Sequence, residues 1–373
     1  MVLLSGHPVA GTGPDLRAAT AESLVLGGFV GRFLHLPGTL MGRTVASIPD
    51  VVAQRRVVVT RGTPFHYWWQ AHLLDAIVDG GLRRVGVGDA SGARRSARLA
   101  RRLLWTIILR NRGTLRNDFF DDMGWLALAL QRLDILQRHL GAGRPDVLVR
   151  RAHRTLTREL RSGVDGGGGV FWNKERDFLN AAAAGPAALY LARSGRVAEA
   201  RVVVDWLHRH LLDDRGLIID GLRSDGTLAV EVYTYNQGPA LGALLELGEP
   251  GDLERATSLV RTAQEHLTQR VGPRQVLITH GTGDGGLFTG ILVRHLALAA
   301  RHHGLSDDVR GIAAGLVRST SDALWEGRDA ATGLFPTSTA RPARGNHNPS
   351  ARVELATQLQ AWIVMEAAAR LDH

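Results

Sequence analysis

At 373 residues and 45% hydrophobic content, the chain can bury a large core and sits near the upper size of a single domain. Its net charge of +9 comes from 45 basic residues, nearly all arginine, against 36 acidic ones, a balance that invites a nucleic-acid partner. Arginines spread along helix faces (Arg94, Arg95, Arg98, Arg101, Arg102) with no interleaved aromatics argue against that partner, and the lack of cysteine excludes disulfides and thiol catalysis.

Residues 1–28 have neither a basic start ahead of a long apolar region nor a small-residue cleavage site, so a cytoplasmic protein is expected. No apolar run approaches the roughly 20 residues that span a bilayer, so no membrane span is expected. Hydrophobic periodicity and Gly, Pro and Asp/Ser punctuation predict helices over residues 15–34, 63–79, 89–111, 120–139, 145–161, 176–192, 196–211, 235–247, 250–269, 285–303, 305–324 and 350–371. Extended pieces are expected only in short stretches, at 55–60, 228–232 and 275–279. The helices at 89–111, 145–161, 196–211, 250–269 and 305–324 carry one Arg/Glu-rich face, as a helix with one wet side does. Those at 63–79, 120–139, 176–192, 235–247, 285–303 and 350–371 are apolar or small around most of their circumference and so are expected to be buried on all sides. The alternation predicts an all-α fold, an (α/α)6 toroidal barrel of six inner and six outer helices forming a single domain over 1–373. An open superhelix of helix pairs would carry a repeated sequence period, and none is present.

Polar residues interrupt the inner helices mostly at their N-terminal ends, which share one face in a ring of parallel inner helices. Asp121 and Asp122 stand at the start of an otherwise apolar run, NDFFDDMGWLALAL, where burying carboxylates is expensive unless they are paired or used. Adjacent helical residues point about 100° apart. A capping role at the helix dipole and a pair of catalytic carboxylates flanking a sugar bond therefore both fit these two acids. Trp69 and Gln70 in FHYWWQAHLLD, Trp172, Asn173 and Asn180 after the glycine run of 163–180, and Tyr235, Asn236 and Gln237 in YTYNQG gather rings beside amides. Proteins grip sugars in this way, through apolar ring faces and hydroxyl-bearing edges; core packing and helix capping are the plain alternatives. The glycine run follows no strand and precedes no Gly-Lys-Ser/Thr, which leaves little for a phosphate cradle. The 15 histidines lack metal-ligand spacing, so no metal or cofactor is expected, and no Gly-x-Ser-x-Gly elbow is present.

Taken in order, FHYWWQAHLLDAIVD, NDFFDDMGWLALAL, GGGGVFWNKERDFLNAAAAGPAALYLA, VYTYNQGPALGALLEL and GDGGLFTGILVRHLALAA resemble the glycoside hydrolase family 76 endo-α-1,6-mannanases. The resemblance implies an (α/α)6 barrel and a retaining endo-acting enzyme that hydrolyses α-1,6-linked mannose backbones in an α-mannan polysaccharide or oligosaccharide. It implies Asp121 as nucleophile and Asp122 as general acid/base, with Trp125, Trp172, Asn173, Tyr235, Asn236 and Gln237 lining the subsites. Met123, Gly124, Trp125 and Leu126 depart from the two aromatics that often follow the acids in the family. A monomer is expected. A non-catalytic glycan-binding protein, or a sugar epimerase or unsaturated-uronyl hydrolase on the same barrel, are the alternatives.

Overall fold

The computed structural model describes residues 13–55, 57–144, 146–343 and 351–372. Arg56 in the first predicted strand, residues 145 and 350 at the starts of two predicted helices, and the first 12 residues of the leader reading lie outside the described residues.

Thirteen helices are present among them: α1 (Pro14–Phe29), α2 (Ile48–Val52), α3 (Tyr67–Gly86), α4 (Ala90–Arg110), α5 (Phe120–His139), α6 (Val147–Gly163), α7 (Ala181–Arg193), α8 (Val197–His210), α9 (Thr234–Leu247), α10 (Pro250–His266), α11 (Gly285–Ala299), α12 (Asp307–Glu326) and α13 (Leu355–Arg370). Helices α3, α5, α7, α9, α11 and α13 pack each on the next, and α13 packs back on α3, which closes an inner ring. Helices α4, α6, α8, α10, α12 and α1 lie outside it, so the (α/α)6 barrel of six inner and six outer helices holds, with short α2 as an addition. No described helix is long and apolar enough to cross a membrane.

The two rings follow from side-chain spacing. On α4 the buried residues Ala93, Ala97, Ala100, Leu104 and Ile107 recur every three or four positions, while arginines take the remaining face; Asp89 caps the first turn by accepting from the Gly92 N–H at 2.9 Å. The inner helices instead use small residues so that neighbours can approach. A Cβ on Gly124 of α5 would lie 2.9 Å from Pro186 of α7, closer than real Cβ contacts come. On α9, a Cβ at Gly238 would meet His295 and the Ile291 carbonyl of α11 at about that distance or slightly more.

At the C-terminal ends of the inner helices, a buried ionic hub ties the ring together. Asp79 of α3 accepts from Arg132 of α5, Arg294 of α11 and Arg370 of α13, and Asp75 also pairs with Arg132 and Arg294. Burial alone would raise the Asp79 pKa; the three guanidiniums override it and hold the carboxyl well below the usual range.

Short strands make up the loops at the opposite end and over the chain's start: β1 (Val30–Phe33), β2 (Met41–Gly42), β3 (Val45–Ser47), β4 (Val58–Val59), β5 (Phe178–Asn180), β6 (Ile219–Arg223), β7 (Leu228–Val232), β8 (Thr268–Val271), β9 (Arg274–Leu277) and β10 (Arg352–Glu354). Strands β5, β6 and β7 form an antiparallel sheet. Strands therefore shorten four predicted helices: that of 250–269 stops at His266, before β8, and that of 350–371 starts at Leu355, after β10. The helix of 15–34 stops at Phe29, where β1 pairs with β2, and that of 176–192 starts at Ala181, after β5. Asn180 sets this last boundary: its backbone is extended, and its side chain accepts from the Ala183 N–H at 3.0 Å.

Candidate active site

Asp121 and Asp122 occupy the first turn of α5, and both line one cavity of about 470 Å³ at the N-terminal mouth of the inner ring. The start of α5 is held by the chain that follows α6. Phe119 bridges Asn173, the Phe120 N–H donates to the Trp172 carbonyl at 2.7 Å, and the Lys174 N–H donates to the Asp118 carbonyl at 2.9 Å. The glycine run before it is a compact turn. Asp165 accepts from the Gly167 and Gly169 N–H groups at 3.1 and 2.6 Å, and Gly168 adopts the left-handed φ of 101° that favours glycine. That turn sets Trp172, whose Nε1–H donates to Asp121 at 3.1 Å.

The two neighbouring acids thus have different surroundings. Asp121 accepts from the Trp172 indole and from the Asp122 N–H at 2.9 Å. Burial raises its pKa and those two donors oppose the rise, leaving it at about 7. Asp122 accepts from the Asn117 side-chain amide at 2.8 Å. Burial, and then the like charges of Asp121 and Asp284, push it well above the ordinary carboxylate range. One carboxyl is therefore the better anion and its neighbour the better proton carrier.

Trp125, Trp172, Asn180 and Tyr235, all expected at the site, line the cavity. Tyr235 of α9 stacks on Phe288 of α11 with ring centroids 4.0 Å apart and planes 16° apart, which sets a flat apolar wall across the mouth from Trp172. Trp69 is buried just behind: it stacks on His66 and donates its Nε1–H to Asp284 at 2.9 Å, beside the Trp68 indole, which donates to the same oxygen at 3.2 Å.

Besides Trp69, four more expected residues lie off the wall. Gln70 is fully buried and holds a loop, its amide donating to the Gly42 carbonyl at 3.0 Å and its carbonyl accepting from the Gly42 N–H at 2.9 Å. Gln237 clamps Ile218 in the same two-way fashion, at 2.8 and 2.9 Å. Asn236 donates to Asp220 at 3.1 Å from behind. Asn173 accepts from the Glu175 N–H at 2.9 Å in its own turn.

Asp220 is the residue that sequence reasoning missed. It comes from β6, lines the cavity, and has its pKa raised by burial, against the Asn236 hydrogen bond. A lone acid among apolar residues in LIIDGL was its signal, but the strand around it was not expected. Phe288, Asn117 and Phe119 were also missed and also line the cavity.

Residues 56–361 match the family model described as Glycosyl hydrolase family 76. Among solved structures, the α-1,6-mannanase of Salegentibacter sp. HEL1_6 is 28% identical with a TM-score of 0.77, covering 96% of this chain and 99% of that one. An inactive variant of that enzyme, with two consecutive aspartates replaced by alanine and in complex with α-1,6-mannotetrose, is 27% identical over 96% of this chain and 100% of that one, with a TM-score of 0.78. A Listeria innocua protein, 22% identical over 97% of this chain and 98% of that one with a TM-score of 0.76, shares the fold. No curated protein matches. With the family model covering most of the chain, and the paired aspartates set in a sugar-sized aromatic mouth, the chain belongs to glycosyl hydrolase family 76.

Proposed function

We propose that this protein is a retaining endo-α-1,6-mannanase in which Asp121 is the nucleophile and Asp122 the general acid/base. The observation that carries the reading is the unequal support of two adjacent carboxyls in one aromatic cavity. Asp121, with two N–H donors and the positive end of α5, is suited to attack the anomeric carbon as an anion. Asp122, kept protonated by burial and like charge, is suited to hand its proton to the departing glycosidic oxygen. Water activated by the resulting Asp122 carboxylate then releases the glycosyl-enzyme with net retention. Trp172, Trp125 and the Tyr235–Phe288 pair offer faces for mannose rings. The inactive Salegentibacter variant, lacking two consecutive aspartates yet holding an α-1,6-linked mannotetraose, supports both the pair and the substrate class.

The test is incubation with linear α-1,6-mannan, following product length and anomer by NMR. The reading expects shortened chains whose new reducing ends are first α, and loss of turnover in both Asp121→Asn and Asp122→Asn. First-formed β-anomers, or unimpaired turnover in either variant, would overturn it.

A further inference from the structure

A larger cavity, about 920 Å³, opens at the other end of the barrel, on the far side of Trp125 and His72 from the two acids. Its wall comes from the C-terminal halves of α5, α7 and α11 and from outer helix α6. Nine arginines line it against three carboxylates, so its charge balance decides what it can hold.

Every one of those carboxylates is already engaged. Asp75 pairs with Arg132 and Arg294, Glu246 with Arg193 at 3.3 Å, and Asp134 with His153 at 3.0 Å. Arg161 and Arg196 share Glu199, and Arg370 pairs with Asp79. Arg138, Arg154 and Arg158 are left with no acidic partner among the described residues. Arg154 and Arg158 are one turn apart on α6 and therefore project side by side. The same stretch of α6 is anchored to the barrel, because His153 and Thr157 both bond the Tyr190 hydroxyl, at 3.1 and 2.7 Å. A half-enclosed space with surplus guanidiniums at its rim is built for an oxyanion, which guanidinium binds through paired N–H groups. Its volume exceeds what one phosphate fills.

We infer that this far mouth is a binding site for a compact free anion carrying two or more phosphate groups, held at its rim by Arg138, Arg154 and Arg158. The site is separate from Asp121 and Asp122, and the inference does not depend on the proposed activity. A recessed cavity, unlike a flat basic face, selects a ligand that can enter it.

Calorimetric titration with pyrophosphate tests this, against sodium chloride of equal ionic strength. The expectation is one site per chain, weakened at least about tenfold in Arg154→Glu/Arg158→Glu and within about twofold of wild type in Arg94→Glu/Arg98→Glu, which makes the same charge change on exposed α4. Both pairs lie on exposed helix faces, so folding is retained, and circular dichroism checks it. Equal weakening in the two double variants would mean general attraction to a basic protein and would overturn the site. So would heat no greater than that of the salt control, or capture by phosphatidylglycerol vesicles without uptake of pyrophosphate.

Discussion

Replacing Asp121 by asparagine should abolish turnover while making the folded protein more stable, and the gain should depend on pH in a specified direction. The folded protein holds the Asp121 proton more tightly than the unfolded chain does, with a pKa raised from 3.8 to about 7, chiefly by burial. Below 3.8 the group is neutral in both states and contributes nothing. Between 3.8 and about 7 the unfolded chain ionises first, so stability falls as pH rises; above about 7 the full cost is in place. At about 1.4 kcal/mol per unit, the shift corresponds to an upper limit of ~4 kcal/mol. Solvent reaching the half-buried carboxylate reduces this, so the expected gain for Asp121→Asn near pH 8 is about 1–3 kcal/mol. Asparagine has one oxygen for two donors that bond different oxygens of Asp121, so it keeps the Asp122 N–H bond and leaves the indole of the exposed Trp172 to water, a loss of about 1 kcal/mol that the expected range includes. Urea unfolding of both proteins at about pH 5 and about pH 8 reads the effect, and the gain should be larger by roughly 1–2 kcal/mol at the higher pH. A variant no more stable than wild type near pH 8, or one whose gain is the same at both pH values, would refute the electrostatic account of this carboxyl.

Trp172→Phe keeps the ring but removes the N–H that lowers the Asp121 pKa. The acid limb of the pH–rate profile should therefore move to higher pH, and kcat should fall by about tenfold. Gln70→Ala should cost about 2–4 kcal/mol in urea unfolding, because the Gly42 N–H and carbonyl lose their buried partner, while KM for mannan stays unchanged. Asp79→Asn should cost about 3–5 kcal/mol by leaving Arg132, Arg294 and Arg370 without their shared anion, a loss readable as a lower thermal midpoint.

The ring architecture was legible because burial on one face or on all faces leaves different residue patterns, as on α4 with its arginine stripe and on α7 with its run of alanines. Asp121 and Asp122 were legible as site candidates because two acids at the head of an apolar helix conflict with their surroundings. What the pattern did not separate was Gln70 and Gln237 from residues facing the mouth. A buried amide that holds loop backbone and one that holds a ligand read alike, and the difference is one of direction around the helix. Asp220 went unread because Ile218 and Ile219 are consecutive and Gly221 takes the next inward position of β6, so the sequence itself shows no apolar alternation around the acid. The far cavity was invisible for a further reason. Its arginines come from helices whose sequences look like ordinary wet faces, and only the fold brings Arg138 of α5 beside Arg154 and Arg158 of α6.

The hub at Asp79 also bears on how the chain acquires its shape. Asp79 and Arg370 are 291 positions apart, so their contact closes nearly the longest loop in the molecule. As the chain is made, α3 to α11 can stack in order, each on its predecessor, but α3 keeps one flank bare until α13 emerges. During that interval Asp79 has two of its three arginines, and the apolar sides of α3 and α11 face water. Ring closure is then a single late event that delivers the last counter-ion and the last apolar wall together, and the unclosed ring is the stage at which a nascent chain has most need of a chaperone.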